Sequence, residues 1–563
     1  MQPAPIRLDM TAPTGGHVVV DVLARAGTTA LFALHGVQIE PLFQACLDRG
    51  MQLIDVRHEA TAGFAAEAYA RVTGTIGAVA VCPGPGFTNV LTSIANASID
   101  RTAVLYIVSS PPNSTQETNG LQVGLNHTAI AAPVAKWTCK VESGEHLSRI
   151  VAQAIRIATT APKGPVLLDI PADILAGSSS PPSQGYSPVT VSSAKMSDDE
   201  IDRCLALLAS AQRPALLVGH TPSAKSRVAL AAFIETTGIP SFFDYRALGT
   251  LADDHRCNGG TLYQLNRLPA GSRPDVVIAI GVQFGFDTPG LRDGGQAWGT
   301  TIVHIDADPA ELGRFSVNVN SHGHVADPDS ALTSFALRAP QHRWSVSEGW
   351  TNDVRNALLN TRAELDRIAS TDGSRLHPYA ASRVVCDVVN ATGAVLVGDG
   401  AVCKHWLHDA LHLRAGALYL THGRFGCMGT GNGHAIGASL ATGRVVCVTG
   451  DGAAGFALGD FETMVRHQLP ITVVILNNAR WGASQGFQLR PGGPQRVVGT
   501  SLSDANYDEV MHALGGQGRS VTTLDALRVA LLEADASGGP TCINVRTNNE
   551  GLAPEIPMLN SLN

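Results

Sequence analysis

The chain has 563 residues, of which 16% are charged and 58 are Gly. At roughly 150 residues per domain that length suggests three or four domains. The charged share is low and the Gly share high for a soluble protein, which describes a large, well-buried chain with many tight turns and excludes a disordered tail, a coiled coil or a collagen. The net charge of −8, from 40 Lys+Arg and 48 Asp+Glu, argues against a nucleic-acid binder, which would carry a basic surplus.

No apolar run approaches the ~18 residues of a spanning helix. Met1 to Gly16 lacks the basic-then-apolar pattern of a signal peptide. The ten cysteines include no CxxC pair, so neither a metal nor a redox pair is expected. Several lie in apolar strand-like runs, where a thiol acts as a small hydrophobe. A reducing cytoplasm without structural disulfides is the expectation.

Three blocks follow along the chain. In the first, residues 15–175, the strand-like runs Ala78–Cys82, Val104–Ser109 and Pro165–Ile170 alternate with helix-like stretches such as Ala60–Val72. That alternation is an α/β pattern with strands buried on both faces. Residues 176–195 are rich in Ser, Pro and Gly and form a linker. The second block, 196–337, opens with a helical pattern at Ile201–Leu208 and offers strands at Pro214–Val218, Asp275–Ile280 and Thr301–Ile305. A second linker, 338–378, resembles a connecting helix. The third block, 379–550, has strands at Ala394–Val397, Arg444–Val448, Ile471–Leu476 and Thr541–Val545. The fold class expected is α/β, with three doubly wound parallel-sheet domains. Three units of similar size and kind suggest an ancient duplication.

The chemistry concentrates in VCVTGDGAAGFALGDFETMVRHQLPITVVILNNARWG (446–482). A buried strand ends at Thr449, Gly450-Asp451-Gly452 turns off its carboxyl end, a helix follows over Gly459–His467, and a second strand ends in Asn477-Asn478. Ligands of parallel α/β sheets sit beyond the carboxyl ends of strands. Asp451 and Asn478 would emerge there together. Both offer hard oxygen ligands suited to Mg²⁺, which takes one or two protein groups plus phosphate oxygens and water. The small turn residues let a diphosphate approach the backbone and the helix N-terminus. GDG alone is weak evidence; GDG, 24 intervening residues and NN in a strand–turn–helix–strand setting is strong. A second signal lies upstream in DVRHEATAGFAAEAYARVTG (55–74), followed by AVAVCPGPGFTN (78–89). On its own Glu59 would be a helix-start acid favoured by the dipole.

These motifs resemble those of thiamine diphosphate (ThDP) enzymes of the acetolactate-synthase-like branch, with pyrimidine, middle and pyrophosphate domains in that order. The local wording is closest to benzaldehyde lyase, in LFALHGVQIEPLFQACLDRG (31–50), ETNGLQVGLNHTAIAAPVAKW (117–137), FFDYRALGTL (242–251), HGRFGCMGTGNGHAIGA (422–438) and NNARWGASQGFQ (477–488). The resemblance implies a ThDP- and Mg²⁺-dependent C–C lyase or carboligase acting on 2-hydroxy ketones (acyloins) and aldehydes through a ThDP-bound enamine. The alternatives are a 2-oxo acid decarboxylase/carboligase like acetolactate synthase, or a 2-hydroxyacyl-CoA lyase. Glu59 would hydrogen-bond the cofactor aminopyrimidine. Glu59 and the diphosphate site would meet across a homodimer interface, and a homotetramer is expected.

The resemblance also assigns residues. Met428 would support the bent cofactor, and Asp399, Gly400 and Ala401 would touch the diphosphate. Gly426, Gly450, Gly452, Ala453, Trp481 and Gly482 would also bind the cofactor, and Ala483 would sit beside the reacting carbon, where a small residue leaves room. Asp451, Asn478 and the Arg480 carbonyl would bind Mg²⁺. His35 and Gln122 would lie over the thiazolium, and His422 would line the pocket from the third block. His127 is read as structural, and His58 as structural or functional alike.

Three departures from benzaldehyde lyase stand out. Gln38 replaces a histidine, and Gln cannot serve as an acid or base near neutral pH. Ala172 replaces a pocket Trp, and Lys404 a pocket Tyr. Arg424 also replaces an uncharged residue. A roomier, more basic pocket is expected, with Lys404 or Arg424 as a counter-charge or else pointing to solvent. Acetolactate synthases carry FAD and benzaldehyde lyase does not. GVQFGF (281–286) and HIDADPAELGR (304–314) do not decide between them, and the wording leans against FAD.

Overall fold

The computed structural model describes residues 13–115, 120–122, 124–179, 189, 191–219, 223–269, 271–285, 288, 299–314, 321–370 and 375–548. Parts of both expected linkers, 180–188, 190 and 371–374, lie outside the described residues.

Three parallel sheets of six strands each are present. The first comprises β1 (Ala30–Ala33), β2 (Gln52–Asp55), β3 (Gly77–Val81), β4 (Val104–Val108), β5 (Trp137–Lys140) and β6 (Val166–Asp169), in the order β2-β1-β3-β4-β6-β5. The middle sheet comprises β7 (Pro214–Val218), β8 (Ser241–Phe243), β9 (Asn258–Thr261), β10 (Val276–Ile280), β11 (Thr301–Asp306) and β12 (Ser321–Val325), ordered β12-β11-β10-β7-β8-β9. The third comprises β13 (Val395–Gly398), β14 (Tyr419–Thr421), β15 (Val445–Gly450), β16 (Ile471–Asn477), β17 (Gln517–Val521) and β18 (Thr541–Arg546), ordered β14-β13-β15-β16-β18-β17. The first and third sheets therefore share one strand order, and the middle sheet winds differently. The similarity expected of all three units holds at this level for two of them.

The anticipated strands are mostly interior ones, where GAVAV, VLYIV and VVIAI bury every residue, as strands covered on both faces must. The unanticipated ones are chiefly edges, such as β12 (SHGHV) and β17 (QGRSV), whose half-exposed polar residues carry no apolar run. Interior β1 and β8 are only four and three residues long.

The first and third domains share one core within the chain. Phe32, Tyr106 and Val79 pack in the same cluster as Val397, Ile436 and Phe461. The seam is the helix Glu59–Thr73 against the helix Gly431–Thr442. Both are rich in Ala and Gly, which lets their backbones come close. A Cβ at Gly437 would lie 1.9 Å from the Ala65 carbonyl oxygen, and one at Gly433 would lie 2.7 Å from Phe64 Cβ. The same seam carries Asp460, whose Oδ2 accepts from Thr61 Oγ1 (2.6 Å) and Oδ1 from the Arg57 N–H (2.8 Å). No helix among the described residues is long and apolar enough to cross a membrane.

Candidate active site

The third-domain half is built on the carboxyl ends of β15 and β16. β15 stops at Gly450, and Asp451 opens a short helix, Asp451–Ala454. β16 stops at Asn477. Ala479 then takes a left-handed conformation (φ 57°), uncommon for a residue with a Cβ. That twist turns the Arg480 N–H onto Asp451 Oδ2 (3.1 Å). The outer end of the Asn478 amide lies 3.3 Å from Asp451 Oδ1 and 3.1 Å from the Arg480 carbonyl oxygen. With its oxygen inward, three oxygens face one another with no donor between them. A cation resolves that repulsion, and without one the amide turns its NH₂ inward to bond both neighbours. The donor set is all hard oxygen, one carboxylate with an amide and a peptide carbonyl, and this fits Mg²⁺ completed by phosphate oxygens and water. No cluster of three or more His, Cys, Asp and Glu able to hold a metal exists among the described residues. Burial pushes the Asp451 carboxyl up to about 6, and a bound cation would favour its ionised form.

These oxygens face a cavity of about 150 Å³ lined by the 400–403 and 450–453 turns, Met428 and the 480–484 segment. The glycines are where backbone must come close. Gly400 has φ +93°, and a Cβ there would lie 2.6 Å from Cys403 Sγ. A Cβ on Gly452 would sit 2.6 Å from the Trp481 ring. The buried Asp399 is not among the cavity lining. Its Oδ1 accepts from the N–H groups of Gly400 (2.6 Å) and Gly429 (3.2 Å), and its Oδ2 from Thr449 Oγ1 (3.2 Å). It positions the turn that lines the cavity. Gly426 is exposed, with φ +71°, in the loop before Met428.

The first-domain half gathers at the carboxyl ends of β1 and β3. Glu59 is buried at the start of its helix, with His58 as N-cap accepting from the Ala60 N–H. Its Oε2 accepts from Asn89 Nδ2 (2.9 Å). A Cβ on Gly86 would lie 3.5 Å from Glu59 Oε1 and 3.3 Å from Cys82 Cβ, and one on Gly36 would collide with Cys82 Sγ at 1.6 Å. Burial, aided by Glu59, pushes the Cys82 thiol up to about 11, so it stays protonated. Gln38 Nε2 donates to Gln122 Oε1 (2.7 Å). Gln122 is itself left-handed (φ 62°) and packs on Gly84. Glu59, Gln38 and Gln122 are thus on one face. His35 is more than half exposed and turns toward Glu40, with Nε2 2.8 Å from Glu40 Oε2. Among the described residues, none of the first domain lines the cavity at Asp451. Asn89 and Cys403 were not anticipated. Asn89 ends the GPGFTN run, but nothing local links it to a carboxylate thirty positions earlier.

Residues 13–130 match the family described as Thiamine pyrophosphate enzyme, N-terminal TPP binding domain; residues 201–334 match its central domain and 399–545 its C-terminal TPP binding domain. The probable acetolactate synthase of Mycobacterium bovis is 30% identical over 550 residues, covering 96% of this chain and 97% of its own. The chain belongs to the thiamine pyrophosphate enzymes. Other relatives are the oxalyl-CoA decarboxylase of Escherichia coli, 29% identical with 96% and 95% of the two chains covered, and 2-hydroxyacyl-CoA lyase 2 of Bos taurus, 28% identical with 94% and 89% covered.

Within this thiamine pyrophosphate enzyme the two basic residues expected at the substrate do not line the described cavity. Lys404 is buried, with Nζ 3.0 Å from His422 Nε2. Burial pulls its ammonium down to about 8. Arg424 Nη1 donates to the Phe284 carbonyl of the middle domain (2.9 Å). His422 is buried, and burial together with the Lys404 charge holds its ring neutral. Its Nδ1 lies 3.2 Å from the Gly423 carbonyl. Its Nε2 likewise lies 3.2 Å from the Gly400 carbonyl, and Lys404 Nζ is within 3.4 Å of Nδ1, so the neutral ring donates to one of the two carbonyls and accepts from Lys404 at its other nitrogen. Ala172 is buried at the start of the helix Ala172–Ala176, its N–H on the Ser110 carbonyl (2.9 Å). His127 pairs with Asp169 (2.9 Å) in the core.

Proposed function

We propose that this enzyme is a Mg²⁺-dependent C–C lyase or carboligase of the benzaldehyde lyase kind, acting on 2-hydroxy ketones and aldehydes. The bound cofactor supplies a carbon nucleophile that also serves as electron sink. Asp451, Asn478 and the Arg480 carbonyl would hold the metal and the diphosphate, and Met428, Trp481, Gly482 and Ala483 would shape the cavity. Glu59, held by Asn89, would accept the aminopyrimidine hydrogen bond.

The observation that carries the choice of substrate is the Gln38–Gln122 pair. It presents amides, which donate and accept hydrogen bonds but carry no charge and move no proton. Lys404 and Arg424 are engaged with His422 and Phe284. Such a face suits the neutral oxygen of an acyloin or aldehyde better than a carboxylate. The second reading is 2-oxo acid decarboxylation with carboligation, favoured by the similarity to an acetolactate synthase over nearly the whole chain. Incubation with ThDP and Mg²⁺ and separate offers of benzoin, acetoin, pyruvate and a 2-hydroxyacyl-CoA tests this. We expect aldehyde from the acyloins without CO₂. CO₂ from pyruvate, or cleavage of the acyl-CoA alone, would replace the reading.

The middle domain is proposed to work without FAD. Carboxylates flanking its topological switch point, where a dinucleotide ribose would be held, are engaged by arginines: Asp244 by Arg246 (2.8 Å) and Asp306 by Arg101 (2.8 Å). Purified protein should be colourless, and a flavin band near 450 nm would overturn this. All ten cysteines are unpaired, which supports a reducing, cytoplasmic setting. The separation of the two half-sites supports a homodimer that joins them; the tetramer is proposed from the family resemblance alone.

A further inference from the structure

The segment Thr421–Arg424 carries His422 and is held from outside its own domain. The Thr421 carbonyl accepts from Arg71 Nη1 (2.8 Å), and the Gly423 N–H donates to Asp100 Oδ2 (2.8 Å). Thr421 C=O and Gly423 N–H belong to the two peptide units on either side of the His422 Cα. Both are therefore pinned by charged side chains of the first domain of the same chain. Asp100 and Arg71 are themselves buried, with side-chain exposures of 1% and 5%. Gly423 is the residue that admits the carboxylate, since a Cβ there would lie 1.8 Å from Asp100 Oδ1. The ring itself lies between the Gly423 and Gly400 carbonyls, 3.2 Å from Nδ1 and from Nε2 respectively, and faces Lys404.

We propose that Asp100 is a positioning residue for His422: by fixing the His422–Gly423 peptide it sets the orientation of the imidazole that faces Lys404. This rests on the placement of His422 in the working site. Asp100 would touch neither substrate nor cofactor. Its distance of 323 residues in sequence from Gly423 makes it invisible to motif reading, and the surrounding Arg71 and Arg246 would otherwise pass for an ordinary buried ion cluster.

The test is a double-mutant cycle on the holoenzyme with the substrate that it turns over. Misplacing a reacting group by about 1 Å can cost up to about 100-fold, so Asp100→Ala should lower kcat by roughly 10- to 100-fold with ThDP affinity unchanged. Asp100→Asn keeps an oxygen acceptor for the Gly423 N–H and should recover most of that loss. In a His422→Ala background Asp100→Ala should cost nothing further. Wild-type activity in His422→Ala would remove His422 from the chemistry, and with it the reading on which the inference rests. Full additivity of the two substitutions, with His422→Ala impaired, would instead overturn the positioning role alone. A crystal structure of Asp100→Ala gives an activity-independent arm: the 421–424 segment should shift and the Lys404–His422 contact open, and an unmoved ring would overturn the proposal.

Discussion

Glu59→Gln should bind ThDP and Mg²⁺ normally yet exchange the proton at thiazolium C2 about 100- to 10,000-fold more slowly, the range that a positioned acid or base contributes. Glutamine matches the shape of glutamate and can still accept from Asn89 Nδ2, as Glu59 Oε2 does (2.9 Å). It cannot hold or release a proton near neutral pH. The loss should therefore appear in the exchange rate, followed by NMR after rapid quench, and not in folding or cofactor affinity. Glu59 is buried, and a Cβ on Gly86 would already lie 3.5 Å from its Oε1, which is why the isosteric variant is the informative one. Exchange near the wild-type rate would sink the assignment.

Asp451→Ala should act on the other half. Asp451 is 3% exposed and is the single carboxylate of the three-oxygen cradle. Partners that merely orient a metal ligand are worth about 10- to 100-fold in metal affinity, so losing the carboxylate itself should weaken Mg²⁺ by at least roughly 100-fold and ThDP with it. Titration calorimetry of the apoprotein measures both, and unchanged affinity would refute the metal assignment. The two variants also test the dimer. Mixing Glu59→Gln chains with Asp451→Ala chains after subunit exchange should restore activity, because one of the two sites of each mixed dimer then receives both intact halves. A statistical mixture recovers roughly a quarter of the sites in a two-fold symmetric pair. No recovery, with exchange demonstrated, would place each whole site within one chain.

The third-domain half of the candidate site was legible because its residues lie within one short stretch, Asp451 and Asn478 following directly on the ends of β15 and β16. The three sheets were legible through their buried interior strands. Edge strands such as β12 and β17 were not, since half-exposed polar residues leave no apolar signature. Side-chain direction was the least readable property. Lys404 was expected at a substrate, as a counter-charge or solvent group, yet it lies buried against His422. Nothing in its neighbours in sequence encodes that, because the group that meets it, His422, lies 18 residues away. Asp399 similarly reads as a diphosphate contact by position, while its carboxylate is engaged by Gly400, Gly429 and Thr449.

The shared strand order of the first and third sheets has an evolutionary side. One template appears twice in the chain, and each copy offers the carboxyl ends of its strands. The copies have diverged, one carrying Glu59 and the Gln38–Gln122 amides, the other the facing oxygens of Asp451, Asn478 and Arg480. On the proposed reading neither copy is complete, and what natural selection would see is the encounter of two chains. A substitution that loosened their association would then also be an activity mutation. On the proposed reading, substrate preference could drift through the Gln38–Gln122 face while the oxygens of Asp451, Asn478 and Arg480 stayed under constraint.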